Sequence, residues 1–156
     1  MASATTIRAA RAGDQASITA LVRGARLNPR DLAWQRFLVA DDGGRVVGCV
    51  QVRVHGRGTR EVASVVVAPS HRAAGLGTRL VEAVLAREAG ALYLFTQTAT
   101  VAYFERFGFR PVGSEPVPAD LRSAQRMTRL VVPFASLVAR RRVRIELMVR
   151  QPVEAG

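Results

Sequence analysis

Two glycines, an arginine and a glutamate set the chemistry this chain could do. Gly75 and Gly77 stand one residue apart, after an apolar run that ends at Ala68 and Pro69. Arg72 precedes Gly75 by three positions, and a pattern of helical period follows Gly77. Glycine lets the backbone take positive φ and approach a ligand closely. The first amides of a helix have no intrahelical partner, and with the helix dipole they attract phosphate. A strand, turn and helix of this kind suit a phosphorylated ligand held by main-chain amides, with Arg72 and Arg79 adding charge. A P-loop would need Gly-Lys-Ser/Thr, and the chain has no lysine. A dinucleotide fingerprint would need a third glycine where Leu80 stands, in an opening βαβ unit. The competing reading is a glycine turn at an ordinary helix start.

Glu61 is the one acid in the strand pattern 61–68. At period two, residues 61, 63, 65 and 67 share a face. A carboxylate there could serve as a general base. Otherwise it is an exposed strand-start glutamate paired with Arg60 or Arg53. Cys49 lies between Gly48 and Val50 in an apolar run, which describes a buried core thiol rather than a nucleophile. His55 and His71 are isolated in sequence, and no metal-ligand spacing occurs, so no metal is expected. Trp34 and Phe37 suit the core or the substrate side.

The elements that must position these residues follow from pattern and punctuation. A strand over 5–10 leads to Asp14, an N-cap for a helix to about Arg26. A short helix is expected in 27–36, then a hairpin over 37–55 turning at Asp42-Gly43-Gly44. After a turn at 56–58 comes a strand over 60–68, then a helix from Gly77 to about Glu88 with Gly90 as C-cap. A strand over 91–97, a short helix closed by Gly108 and a short strand over 109–112 come next. Beyond Pro118 a helical stretch carries Leu121, Met127 and Leu130, and the alternating 143–150 closes the sheet. The expected class is α/β, a mixed central sheet in a single domain over 1–156.

With 49% apolar residues the chain should fold around a core. No apolar run reaches the roughly 18–20 residues of a membrane span. The N-terminus lacks a basic region followed by an apolar one, so a cytoplasmic location is expected. One cysteine forms no internal disulfide and suits a reducing compartment. All 23 basic residues are arginine, for a net charge of +11. Residues 121–156 hold eight arginines and two glutamates, and 1–120 hold 15 arginines and ten acids. Such a surface attracts polyanions or is simply solvated. No nucleic-acid motif accompanies it, so nucleic acid is disfavoured as a partner, and no membrane is expected.

The stretch "VVVAPSHRAAGLGTRLVEAVL" resembles the signature of the GCN5-related N-acetyltransferases, Gln/Arg-x-x-Gly-x-Gly/Ala after a strand ending near Val-x-Pro. Arg72, Gly75 and Gly77 match it. "AYFERFGFRPV" resembles a second family element, a short helix ending Y-x-x-x-G-F. The resemblance spans about residues 5–113, and 119–150 fit a closing helix and strand. It implies acetyl-CoA as cosubstrate. It places the pyrophosphate on Arg72, Ala73, Ala74, Gly75, Leu76, Gly77 and Thr78, and the pantetheine on Val65, Val66 and Val67. It also implies a splayed sheet, with the acetyl group in the gap. Family members that carry a glutamate base place it where Glu61 stands. The family's tyrosine acid falls at Phe104, one step from Tyr103, a rotation of about 100° on a helix. Tyr103 is therefore a displaced candidate acid, and a CoA thiolate can leave without one. Residues 27–67 are similar to single-domain bacterial amino-acid acetyltransferases, notably those acting on glutamate. Arg30, Arg36 or Arg53 would then grip a substrate carboxylate. A small amine or amino acid is the implied acceptor. A protein lysine or N-terminus, a silent CoA-binding module and a nucleic-acid-binding module stay as alternatives, and a homodimer is compatible.

Overall fold

The computed structural model describes residues 4–128 and 143–154. Its strands are β1 (Thr6–Ala9), β2 (Phe37–Asp42), β3 (Arg45–Val54), β4 (Arg60–Val67), β5 (Leu92–Gln97), β6 (Arg110–Pro111) and β7 (Ile145–Arg150). The helices are α1 (Gln15–Gly24), α2 (Leu76–Leu85) and α3 (Val101–Glu105), with a helical stretch over 122–128. The class is the expected mixed α/β. Contacts group these elements into two compact units. One holds the chain to Arg53 together with Val62–Glu88, and the other holds Val54–Glu61 and the chain from Ala89.

In the first unit β1, β2, β3 and the body of β4 follow one another in chain order. β1 and β3 both run antiparallel to β2, with a register shift at Ala40/Asp41. Buried Ile18 and Val22 of α1 pack with Phe37, Val39, Cys49 and Val66. On α2, Leu76, Leu80, Val81 and Val84 are buried, the spacing that puts one apolar stripe on a helix. α2 can seat closely because position 48 has no side chain. A Cβ there would lie 3.1 Å from Leu80 Cδ1, 3.1 Å from the Val66 carbonyl oxygen and 3.4 Å from Ala40 Cβ.

In the second unit the start of β4 pairs parallel with β5, joining Arg60 to Leu92 and Glu61 to Tyr93. β5 runs antiparallel to β7 over six residue pairs, from Leu92↔Arg150 to Gln97↔Ile145. β6 flanks β7 on its other side. The last strand is thus inserted between β5 and β6 and does not end the sheet. Val112, Leu147 and Val149 form its core with Tyr93, Phe95 and Val117. Gly108 takes φ +86° and its amide donates to the Glu105 carbonyl, closing α3 as expected.

Several expectations need correction. α1 ends at Gly24, and the Asp14 carboxylate does not cap it. It accepts instead from the Arg8 guanidinium at 2.8 Å and the Arg11 amide at 2.7 Å. Arg8 also donates to Asp41 at 2.7 Å, and its guanidinium holds both carboxylates below their ordinary range. The segment 27–36 carries only a 3-10 turn, Trp34–Arg36. α2 starts at Leu76 and ends at Leu85 with Ala86 as C-cap, so Gly90 lies outside it. Ser64 takes φ +56° in the middle of β4, and Glu61 is buried together with Val62, so Glu61 does not share the half-buried pattern of 63, 65 and 67. Met127 is exposed, and Leu130 lies outside the described residues.

Gly48→Val should press on α2 and on the backbone of β4. Overpacking of a filled core costs about 1–3 kcal/mol, and a chain of this size loses about 2–4 °C in Tm per kcal/mol. A thermal melt that left Tm unchanged would show that the seat of α2 gives way without strain.

Candidate functional site

The turn after β4 is built in sequence order. Val66 is buried in the core, while Val65 and Val67 are half-buried. The Ala68 amide donates to the Val47 carbonyl at 2.7 Å, anchoring the strand end on β3. Pro69–His71 then form a 3-10 turn with Pro69 at its start, where a missing N–H costs nothing. A side-chain chain ties this turn to the β2–β3 hairpin. Ser70 Oγ lies 2.8 Å from His71 Nδ1, and His71 Nε2 lies 2.9 Å from Asp42 Oδ2. His71 is thus a tether of the turn.

Residues 72–75 are exposed, and two of them are left-handed, Ala73 at φ +64° and Gly75 at φ +73°. For alanine that conformation costs of order 1 kcal/mol or more, and it marks a turn held by its surroundings. Gly75 is the N-cap of α2, and Leu76 anchors the first turn in the core. The first intrahelical bond runs from the Arg79 amide to the Gly75 carbonyl at 3.1 Å. The amides of Leu76 and Gly77 precede it, at the positive end of the helix dipole. Arg72 Nε donates to the Val67 carbonyl at 3.2 Å, and an Arg79 amine nitrogen donates to the Thr5 carbonyl at 2.9 Å. Both guanidiniums therefore help hold the turn, in addition to the charge they place beside it. Residues Val65 to Val67 and Arg72 to Thr78 lie in the same unit.

Glu61 stands in the other unit, at the buried start of β4. Its Oε2 lies 2.8 Å from His55 Nε2, and the two side chains are 7% and 18% exposed. The turn between them is closed by the His55 amide on the Thr59 carbonyl at 2.8 Å and the Gly58 amide on the His55 carbonyl at 2.9 Å. The Asp120 carboxylate clamps that turn. It accepts from the Thr59 hydroxyl at 2.6 Å and from the amides of Arg57 at 2.9 Å and Thr59 at 3.2 Å. The Thr59 hydroxyl, followed by these amides, holds the Asp120 carboxyl below its ordinary range. His55 is not among the expected site residues. The signal in the sequence is the turn itself, because residues flanking a tight turn are cross-strand neighbours and Glu61 is the diagonal neighbour of His55.

Tyr103 is half-buried on α3, edge-on to Phe104 at 5.1 Å and to Phe107 at 5.3 Å, with the Arg106 guanidinium 4.6 Å above its ring. Phe104, at the position where the family pattern carries tyrosine, is buried against Phe109. Cys49 is buried as expected, and burial pushes its thiol up to about 12. Its sulfur lies 3.6 Å from the Ser64 carbonyl, and Gln51 Nε2 donates to Ser64 Oγ at 2.9 Å. Gln51 is fully buried, and β3 thus holds the left-handed residue of β4 from two sides. Among the described residues no group of three or more His, Cys, Asp or Glu could hold a metal ion, and no helix is long and apolar enough to cross a membrane.

A family profile described as an acetyltransferase (GNAT) domain matches residues 33–111. A Chlorobaculum tepidum protein named an uncharacterized N-acetyltransferase is 33% identical over 88 residues, 54% of this chain and 56% of its own length. The chain therefore spans about half the length of the curated relative it matches. Among solved structures, N-acetylglutamate synthase from Neisseria gonorrhoeae, complexed with coenzyme A and N-acetyl-glutamate, aligns with a TM-score of 0.74 at 20% identity. That alignment covers 97% of this chain and 36% of the synthase. The Salmonella typhimurium protein yncA with its cofactor acetyl-CoA aligns with a TM-score of 0.68 at 23% identity, covering 99% of this chain and 97% of that one.

Two outcomes follow from these environments. Native protein at pH 8 should leave Cys49 unmodified by a thiol reagent, with full labelling on adding denaturant, because the thiolate is both suppressed and shielded. Rapid labelling of folded protein would contradict the burial. Asp120→Ala should lower Tm at neutral pH. Since the folded carboxyl titrates below its unfolded value, that stabilisation is present above the ordinary carboxylate range and is lost as pH falls through the folded value. The wild-type and variant melting curves should therefore converge in strong acid, and a constant gap at all pH values would exclude the charged clamp.

Proposed function

The chain belongs to the acetyltransferase (GNAT) family, and on that premise we propose that it transfers an acetyl group from acetyl-CoA to the primary amine of a small amino acid or amine. The turn at 72–78 carries the reading. Its residues 72–75 are exposed and two of them are left-handed, and it opens a helix whose leading amides precede the first intrahelical bond. Such a turn receives a pyrophosphate through its backbone.

The residues divide the work by what each exposes. The amides of Arg72, Ala73, Ala74, Gly75, Leu76, Gly77 and Thr78 hold the pyrophosphate. Leu76 can contribute only main chain, because its side chain is in the core. Val65, Val66 and Val67 offer backbone to the pantetheine, Val66 again through main chain alone. Main-chain donors on β4 polarise the thioester carbonyl, and binding both reactants makes the encounter intramolecular. Glu61 takes the proton from the substrate ammonium, directly or through one water, so that the nitrogen lone pair forms the C–N bond as the C–S bond breaks. Tyr103 is the acid this reading offers to the leaving thiolate, which also leaves unaided. The fold shared with a synthase solved with N-acetyl-glutamate supports an amino-acid acceptor. Arg30, Arg36 or Arg53 would grip its carboxylate by bidentate pairing; Arg53 also donates to the Arg30 carbonyl at 3.0 Å.

Calorimetric titration should show acetyl-CoA binding, and a free-thiol assay over an amine and amino-acid panel should show turnover on at least one compound. Absence of binding would overturn the reading. Gly77→Asp places a carboxylate in the first turn of α2, which favours the helix but repels phosphate. Acetyl-CoA affinity should fall by roughly tenfold or more with Tm unchanged, and an intact affinity would move the cofactor elsewhere. Glu61→Gln should lower the rate at neutral pH by about 10²–10⁴-fold. The loss should be smaller at high pH, where the amine is already neutral. An equal loss at every pH would remove Glu61 as the base.

A further inference from the structure

We infer that His55 is a positioning residue for this transfer, acting through Glu61; the inference rests on the acetyltransferase reading. The histidine is isolated in sequence, but the fold delivers it to the carboxylate. Its Nε2 lies 2.8 Å from Glu61 Oε2, a short contact between two part-buried side chains. An imidazole on the carboxylate fixes its orientation, and a base works only when its lone pair meets the proton it removes.

Three observations within one unit make this a built contact. The main chain of His55 is locked at both its amide and its carbonyl by the turn through Thr59. Asp120 holds that turn through three donors, from a point distant in sequence. Glu61 is itself fixed by the parallel pairing with Tyr93. The imidazole and the carboxylate are therefore each held by backbone, and their contact needs no long side chain to be ordered. No other candidate base on the described part of β4 has a comparable brace, since Glu61 is the only acid in that strand. A surface pair would give up side-chain entropy to form and would contribute little. This pair loses less because its geometry is imposed from outside.

The test is a double-mutant cycle with a spectroscopic control. His55→Ala should lower kcat by roughly tenfold or more and leave acetyl-CoA affinity unchanged. His55→Gln, whose amide nitrogen can stand in for Nε2, should recover most of the rate. In a Glu61→Gln background His55→Ala should cost nothing further, because the residue it serves is already gone. The chain has two histidines, so imidazole ¹⁵N spectra contain two sets of signals, and His71→Ala assigns them. Glu61→Gln should move the His55 set and leave the His71 set in place. Additive losses in an active enzyme, or an unmoved His55 signal, would overturn the positioning role. A wild-type protein inactive on every amine would overturn the acetyltransferase reading, and this role with it. The ¹⁵N shift on Glu61→Gln separates that failure from a failure of the contact itself.

Discussion

Strand β4 begins at the buried Glu61, ends at the turn that opens α2, and must accommodate a left-handed residue, Ser64, between them. Its first residues hold Glu61 in a parallel pairing with β5, and its last residues lead into the turn that opens α2. A regular strand would carry the same side-chain alternation from end to end. In β4 the alternation fails at Glu61 and Val62, which are both buried, and runs on through Ser64 to Val67 although Ser64 takes φ +56°. For serine this conformation is unfavourable, so neighbours must impose it. Gln51 and Cys49 do so from β3, through the serine hydroxyl and carbonyl. This explains a fully buried glutamine and gives the single cysteine a structural task consistent with its raised thiol.

The same principle of imposed geometry recurs at both candidate segments. The turn at 72–75 contains Ala73 and Gly75 in left-handed conformations. It is tied down by Ala68 on Val47, by His71 on Asp42 and by Leu76 in the core. The turn at 55–59 is held by Asp120 and in turn holds His55. In each case a loop that would be costly to order at the moment of binding is already ordered by contacts outside it, which is what pre-organisation requires.

What the sequence disclosed depends on how local each signal is. The strands at 37–42, 45–54 and 60–67 and the helix after the glycines are legible because pattern and turn residues lie within a few positions of one another. The turn at 72–78 is legible for the same reason. The Asp14 cap fails because Arg8 and the Arg11 amide compete for its carboxylate, and Arg8 is also drawn to Asp41 on a distant strand. Asp120 and Thr59 are 61 positions apart, and nothing in either segment announces the other. Ala73 and Ser64 carry no residue-type signal for positive φ, since that preference belongs to glycine and asparagine. His55 lies between these cases. The turn that makes it a neighbour of Glu61 is legible, but no residue type singles out the cross-strand pair that the turn creates.

The arginine excess takes on a different meaning once the donors are traced. Composition offers two readings, attraction to polyanions or a solvated surface. Many of these guanidiniums instead donate to main-chain carbonyls: Arg53 to Arg30, Arg72 to Val67, Arg79 to Thr5, Arg106 to Tyr103 and Arg150 to Phe107. A guanidinium offers five donors in a fixed plane and keeps its charge, so it can brace a loop and still face an anion. Where coding leaves a chain without lysine, arginine takes over that bracing. Net charge is then weak evidence for a nucleic-acid partner, and the balance shifts to charges whose position matters. Arg72 and Arg79 are such charges, because the bonds that fix them also fix the turn that α2 opens.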